Sequence, residues 1–305
     1  MITRFSQIED EAKKRQGRVV VPMANNLEAQ CAVQMALEEG WLSGGTLIGD
    51  LSAIQDVSAE SLLELDKFEI IDNGNPREAA HIAAKLMAEK KGDFLLKGII
   101  DTKDYIRAVM DKNLGLVEEG RLLTHVAIMQ VPGYPKLFGM TDVAMCINPG
   151  VEEKKKMIKN IVEIFHKLGV TKPKVAMICP VEKVNDKIQS TLDAQAMVEF
   201  FKDSPDCFVE GPYDTYIALS RHAAEEKGVK GEVCGDADIL IFPDLDSANP
   251  AYKLLNQFVP GIKSAAILAG PKVPVMLPSR ADSAMTKKLS IALSSFLSSR
   301  IEQSV

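Results

Sequence analysis

The chain has 305 residues, a length typical of about two domains at roughly 150 residues each. Its hydrophobic share of 46% and charged share of 26% are ordinary for a globular protein, and its formal net charge of −6 argues against a nucleic-acid-binding protein. No stretch approaches the ~18 apolar residues of a membrane helix, and the N-terminus lacks the apolar core of a signal peptide. The five cysteines are scattered without a Cys-x-x-Cys pair, so we expect free thiols and a cytoplasmic location.

Short apolar runs alternate with patterns of helical period through the first third of the chain. The pattern predicts strands at 18–22, 46–49, 68–71 and 94–96, and helices at 27–39, 76–91 and 102–111. Gly40 and Gly92 end the first two of these helices, and Pro76 suits the first position of the second.

The alternation then breaks, because 122–131 and 143–147 predict two strands with no long helix between them. Such a break indicates a domain crossing or an antiparallel pair of strands. Beyond it the pattern predicts helices at 151–168, 190–201, 213–227, 250–258 and 283–300, and strands at 174–179, 207–210, 238–242, 264–268 and 273–277. Repeated alternation of this kind predicts an α/β fold, in which helices cover both faces of parallel sheets and ligands bind at the loops after strands.

Common nucleotide-binding and catalytic motifs are absent from the sequence. No Gly-x-Gly-x-x-Gly follows the first strand, and neither a P-loop nor a Gly-x-Ser-x-Gly elbow occurs, which argues against a dinucleotide-binding Rossmann domain and a P-loop enzyme. The four histidines show no metal-ligand spacing. We interpret His81, His166 and His222 as surface or packing residues of helices, and His125 as a core residue of a strand.

Four acidic residues lie close together in sequence around the strand 238–242. A divalent cation needs converging carboxylates, but the strand separates Asp236 and Asp238 from Asp244 and Asp246 by about 20 Å at ~3.3 Å per residue. We therefore predict no metal site, and we interpret Asp244 and Asp246 as the polar end of a strand that caps the next helix.

The C-terminal segment from Pro278 onward has the features of an anion site. A short apolar strand ends there and delivers the Ser279 hydroxyl and the Arg280 guanidinium to the start of an amphipathic helix. Helix N-termini offer free N–H groups and a positive dipole end, and arginine can bind two phosphate oxygens at once. In the alternative interpretation, Ser279 starts the helix and Arg280 forms a surface ion pair, with Asp282 or Ser283 as the N-cap.

Over essentially its whole length the chain resembles the phosphate acetyl/butyryltransferase family. The resemblance rests on 97–102 with Arg107, on 124–127 and 141–145, on 242–249, and on 270–275 with 279–283. Ser-Arg-Ala-Asp-Ser at 279–283 resembles the butyryl branch, whereas the acetyl branch usually has Ser-Arg-Gly-x-Ser.

The resemblance implies a two-domain isocitrate/isopropylmalate-dehydrogenase-like fold with an active cleft between the domains. We expect residues 1–120 plus 280–305 in domain I, residues 121–279 in an inserted domain II, and a homodimer or higher homo-oligomer. The implied reaction converts acyl-CoA and phosphate to acyl phosphate and CoA, reversibly, with coenzyme A as a substrate and no tightly bound cofactor.

The resemblance also implies roles for individual residues. Ser279 would orient the reacting acyl group, Arg280 would hold phosphate, and Arg107 would supply a second positive charge. Asp282 completes the predicted catalytic set as a weak base, and the predicted substrate-binding residues are Thr102, Asp244, Asn249 and Ser283.

Two positions depart from the family pattern. Thr286 stands where the acetyl branch has a catalytic aspartate, and Tyr216 stands where the family usually has an aspartate, with Asp214 two residues earlier. A phosphate acetyltransferase, a metal- and NAD-dependent decarboxylating dehydrogenase of the same fold, and a non-catalytic CoA-binding protein are therefore the alternatives. The dehydrogenase would need a trio of metal-ligating aspartates that this sequence lacks.

Overall fold

The computed structural model describes residues 1–278 and 282–298. The chain forms two compact units. The N-terminal unit comprises Phe5–Arg121 and the described residues from Ala265 onward, and the central unit comprises Leu122–Ser264 with Met1–Arg4. The chain thus returns to the N-terminal unit at Ala265 and not at residue 280, because its last two strands pair within that unit's sheet.

The helices and strands follow one another in the predicted alternating order. The first part of the chain contains α1 (Phe5–Arg15), β1 (Gly17–Pro22), α2 (Leu27–Glu38), β2 (Leu42–Gly49), α3 (Leu51–Ser61), β3 (Phe68–Asp72), α4 (Pro76–Ala88), β4 (Phe94–Leu96) and α5 (Thr102–Val109). The middle part contains β5 (Thr124–Gln130), β6 (Phe138–Thr141), α6 (Val151–Lys167), β7 (Lys174–Ile178), α7 (Gln189–Phe201), β8 (Phe208–Tyr213), α8 (Thr215–Leu219), α9 (Arg221–Glu226), β9 (Ile239–Ile241) and α10 (Leu245–Phe258). The last part contains β10 (Lys263–Ala269), β11 (Val275–Met276) and α11 (Ala284–Ser298).

The sheet of the N-terminal unit has the strand order β3-β2-β1-β4-β11-β10. Its strands pair in parallel except for the antiparallel pair β10–β11. Helix α11 is buried along nearly its whole length and uses serine hydroxyls to bind strand ends: Ser290 Oγ accepts from the Ala266 amide at 2.9 Å, and Ser295 Oγ from the Gly17 amide at 3.3 Å. These hydroxyls satisfy backbone groups that would otherwise be buried without partners.

The sheet of the central unit has the strand order β5-β6-β9-β7-β8. The pairs β6–β9, β7–β9 and β7–β8 are parallel, whereas β5 and β6 form an antiparallel pair. The antiparallel pair confirms one explanation for the break in alternation, but the predicted second strand at 143–147 is wrong. These residues form a loop, because the Asp142 carboxylate accepts from the amides of Ala144 at 2.8 Å and Met145 at 2.6 Å.

Three further differences concern helices. The helix predicted at 213–227 is two short helices, because Asp214 caps α8 and Ser220 caps α9. Helix α10 begins at Leu245, before the predicted start at residue 250. Helices α1 and α3 were not predicted. The predicted α/β class is confirmed, and none of the described helices is long and apolar enough to cross a membrane.

Candidate active site

In the N-terminal unit, the segment after β4 lies against the end of β1. Strand β4 runs parallel to both β1 and β11, its two neighbours, so residues 97–101 leave the sheet at the edge where those strands end. The amides of Gly98 and Ile99 donate to the carbonyls of Pro22 at 3.2 Å and Met23 at 3.0 Å. A Cβ atom at Gly98 would overlap both carbonyl oxygens, so only glycine permits this close approach.

Helix α5 starts at the same edge and is anchored to β11. The Asp101 carboxylate caps the helix by accepting from the Lys103 amide at 2.7 Å, which leaves Thr102 exposed at the first helical position. Tyr105 is buried and its hydroxyl donates to the Met276 carbonyl at 3.3 Å. Burial raises the pKa of Tyr105 well above its ordinary value, so the hydroxyl remains a donor. The predicted site residue Thr102 therefore lies on a helix that is fixed to the strand preceding Ser279.

Arg107 lies on the exposed side of α5, where it shares an acidic partner with a second arginine. Its Nη1 atom is 2.9 Å from Asp104 Oδ1, and its side chain is 57% exposed. Arg77 Nε, on α4, lies 3.2 Å from the same carboxylate oxygen. Sequence reasoning singled out Arg107 alone. The Asp104–Arg107 spacing of three on a helix was the available signal for their ion pair, whereas Arg77 is brought in only by the packing of α4 against α5.

Ser283 is the N-cap of α11, which decides between the two predicted candidates for that position. Its Oγ atom accepts from the Thr286 amide at 3.0 Å and lies 3.0 Å from Thr286 Oγ1. Thr286 is buried, and its hydroxyl has no carboxylate to act as a base at neutral pH. Asp282 is half-buried. Ser279 and Arg280 lie outside the described residues.

In the central unit, two of the motif segments are joined by hydrogen bonds. Strands β6 and β9 are parallel neighbours, so the loop 142–150 and the segment after β9 leave the sheet at one edge. Asn249 Nδ2 donates to the Val143 carbonyl at 2.7 Å, and the Leu245 amide donates to the Ile147 carbonyl at 2.9 Å. Asn249, a predicted substrate-binding residue, thus uses its side-chain amide to hold the loop.

The two acidic residues at strand ends in this unit act as helix caps. Asp244 Oδ1 accepts from the amide of Ser247 at 2.8 Å and from its hydroxyl at 2.7 Å, which agrees with the capping interpretation. Asp214 accepts from the Ile217 amide at 2.8 Å and from Lys227 Nζ at 2.7 Å. Burial acts to raise the pKa of Asp214, but the Lys227 ammonium and the backbone donors outweigh it and lower the pKa. Asp214 is therefore a poor proton acceptor.

The cysteine in the loop 142–150 is not an activated nucleophile. Burial, together with the charge of Asp142, raises the pKa of Cys146 to about 12, so its thiol stays protonated at neutral pH. All five cysteines are free thiols. Within the part of the chain that the structure describes, no three His, Cys, Asp or Glu side chains converge as metal ligands.

Comparison with known proteins agrees with the order and spacing of these segments. Residues 75–294 match the family model for phosphate acetyl/butaryl transferase. The chain is 37% identical to the phosphate butyryltransferase of Clostridium acetobutylicum, covering 97% of this chain and 99% of the relative. It is 35% identical to the phosphate acetyltransferase of Thermotoga maritima, covering 95% and 98%.

Solved structures show the same architecture. A branched-chain phosphotransacylase from Enterococcus faecalis superposes with a TM-score of 0.83 at 29% identity, covering 92% of this chain and 98% of the other. A 4-hydroxythreonine-4-phosphate dehydrogenase from Salmonella typhimurium superposes with a TM-score of 0.60 at 13% identity, over 92% and 99%, and at that identity shows the fold alone. The expected dehydrogenase-like α/β fold is thereby confirmed.

The fold and these matches define an enzyme of the acyltransferase class. The family model covers well over half of the chain, and the relatives align with it from end to end. The chain belongs to the phosphate acetyl/butyryl transferase family.

Proposed function

We propose that the protein transfers a short acyl group from coenzyme A to phosphate, reversibly, with a preference for butyryl-like chains. Two phosphate butyryltransferases, from Clostridium beijerinckii and Clostridium acetobutylicum, are each 37% identical to the chain. The Ser-Arg-Ala-Asp-Ser run at 279–283 supports the same branch. The observation that supports the site most directly is the gathering of the motif segments at the carboxyl ends of parallel strands within each unit.

The proposed chemistry is a direct displacement. An oxygen of phosphate attacks the thioester carbonyl carbon, the carbon–oxygen bond forms, the carbon–sulfur bond breaks, and the sulfur of CoA leaves with the electron pair. A simple thiol has a pKa near 8.5, so the thiolate can leave without full protonation. Phosphate is already an anion at neutral pH, and the reaction therefore requires charge stabilisation more than it requires a base.

The residues assigned to this chemistry follow from that requirement. We assign phosphate binding to Arg280 and a second positive charge to Arg107, with Ser279 orienting the acyl group. Asp214 is an unsuitable base because Lys227 and backbone amides already bind its carboxylate. Any modest base assistance falls to Asp282 in this proposal. General acid–base catalysis contributes typically 10²–10⁴-fold, so its weakness here would slow the enzyme without abolishing the reaction.

Substrate contacts beyond these arginines form a further part of the proposal. Thr102 is available to substrate because it is exposed at the start of α5. Ser283, Asp244 and Asn249 are bound to the protein itself through their side chains, so we assign them to shaping the site through α11, α10 and the loop 142–150. No tightly bound cofactor and no metal ion enter the proposed reaction.

The test is phosphate-dependent release of free thiol from butyryl-CoA, isobutyryl-CoA and acetyl-CoA. We expect release with each, and the largest kcat/KM with a four-carbon acyl group. One methylene changes such selectivity by only ~1–3 kcal/mol, so a larger value for acetyl-CoA would assign the enzyme to the acetyl branch. No release from any short acyl-CoA would overturn the proposal, and metal-dependent reduction of NAD would favour a dehydrogenase instead.

Location, assembly and the cleft complete the proposal. The five free thiols support a cytoplasmic location, because disulfides are rare in reducing compartments. We further propose a homodimer or a higher homo-oligomer, which size-exclusion chromatography with light scattering can test. The active cleft that the family resemblance implies stays a prediction.

A further inference from the structure

A buried ion pair lies directly beside the loop 142–150, and the proposed chemistry does not use it. Lys154, in the first turn of α6, is 3% exposed, and its partner Asp193 on α7 is 8% exposed. Lys154 Nζ lies 2.8 Å from Asp193 Oδ2, and Gln189 Nε2 donates to Asp193 Oδ1 at 2.8 Å. Replacing a buried ion pair by apolar side chains of similar size is often neutral for stability, so stability alone is a weak reason for this pair.

The pair also reaches the loop itself. Lys154 Nζ donates to the Pro149 carbonyl at 2.5 Å, so one ammonium joins the end of the loop to α7. The start of the loop is held separately, by Asp142 through the amides of Ala144 and Met145. Between these two fixed ends, Asn249 and the start of α10 bind loop carbonyls. The loop conformation therefore depends on the ammonium at one end and a carboxylate at the other.

We propose that Lys154 and Asp193 are positioning residues, which set the loop 142–150 for binding and reaction of the acyl-CoA. This inference rests on the proposed function, because it assigns the loop to the same site. Its physical basis is geometric: a charged donor fixed by a buried carboxylate places the Pro149 carbonyl, and with it the loop, in a single arrangement. An apolar pair in the same place could fill the volume but could not bind that carbonyl.

A double-mutant cycle separates positioning from folding. Lys154→Met alone leaves the Asp193 carboxylate buried without its cation, and we expect the Tm to fall by about 10 °C. In the double variant Lys154→Met/Asp193→Leu neither charge remains, so we expect most of that loss to be recovered. The bond to Pro149 is absent from both variants, and we expect the double variant to keep a kcat at least tenfold below wild type despite its restored Tm.

Two further measurements complete the test. Amide hydrogen exchange of Met145 and Gly150 should be at least tenfold faster in the double variant. Lys155→Met serves as the matched control, because Lys155 pairs with Glu152 on the surface of the same helix and has no bond to the loop. We expect that control to leave both exchange and kcat unchanged.

The outcomes distinguish the inference from the function on which it rests. A double variant with restored Tm and wild-type kcat would overturn the positioning role while leaving the acyltransferase assignment intact. If the wild type releases no thiol, the proposed function fails, and faster exchange of the loop amides alone then decides whether the pair holds the loop. Should the double variant not fold, Lys154→Arg keeps the ion pair but changes the donor at Pro149, and an unchanged kcat in that variant would equally contradict the inference.

Discussion

Replacing Arg107 with alanine should separate catalysis from stability in this protein. Arg107 forms an ion pair with Asp104 at 2.9 Å, but its own side chain is 57% exposed to solvent. Exposed pairs of this kind contribute about 0–1 kcal/mol to the free energy of unfolding. We therefore expect Arg107→Ala to shift the urea midpoint only slightly, because solvent already screens the interaction that it removes.

The expected loss of activity is much larger. If Arg107 stabilises the charge that develops on the reacting groups, its removal should resemble the loss of one oxyanion donor, which lowers kcat about 10²–10³-fold. Arg107→Lys retains a charge but cannot bind two oxygens in the planar arrangement of a guanidinium, so we expect an intermediate loss of roughly tenfold. Initial rates of phosphate-dependent thiol release from butyryl-CoA provide the measurement.

Arg77 offers a matched control. Its Nε atom lies 3.2 Å from the same Asp104 carboxylate, and its side chain is 74% exposed, so Arg77→Ala should have a similar effect on stability. We expect Arg77→Ala to keep near wild-type activity. The reasoning is refuted if Arg107→Ala stays within about threefold of the wild-type kcat/KM, or if the two alanine variants lose activity equally.

Three other predictions follow from the same contacts. Gly98→Ala should destabilise the N-terminal unit by about 1–3 kcal/mol in urea unfolding, because its Cβ would overlap two backbone carbonyls; Gly74→Ala, which meets only open space, should not. Ser283→Ala removes the N-cap of α11 and should cost roughly 1 kcal/mol, and an unchanged midpoint would contradict the cap. The pKa of Asp214 is lowered in the folded protein, so its contribution to stability is complete above the ordinary value of 3.8 and lost as the pH falls below it. Asp214→Asn should therefore lower stability at pH 7 and weaken the acid dependence measured between pH 7 and about pH 3, and parallel pH profiles would oppose this assignment.

Local sequence signals predicted most of the strands and helices correctly, because periodicity and caps depend on residues within a few turns of each other. Helix α4 begins at Pro76 as predicted, and α2 ends just before Gly40. The same local signals failed where a side chain takes over backbone partners. Residues 143–147 are apolar enough for a strand, yet the Asp142 carboxylate binds two of their amides and turns the chain into a loop.

The candidate site shows the same division. The sequence alone identified the segments that bear chemistry and showed that Thr286 replaces an acidic residue. It could not show which of those segments are neighbours, because the order β1-β4-β11 and the pair β6–β9 depend on burial between distant parts of the chain.

The sequence by itself thus determined the α/β class, the acyltransferase family and the residue types available to the site. Only the tertiary structure decided which polar side chains the protein keeps for itself. Asp244, Ser283 and Asn249 cap helices or hold a loop, and Lys154 is buried against Asp193. The physical reason is that a polar group buried by folding must find a partner, and which partner lies within reach is a property of packing and not of spacing along the chain.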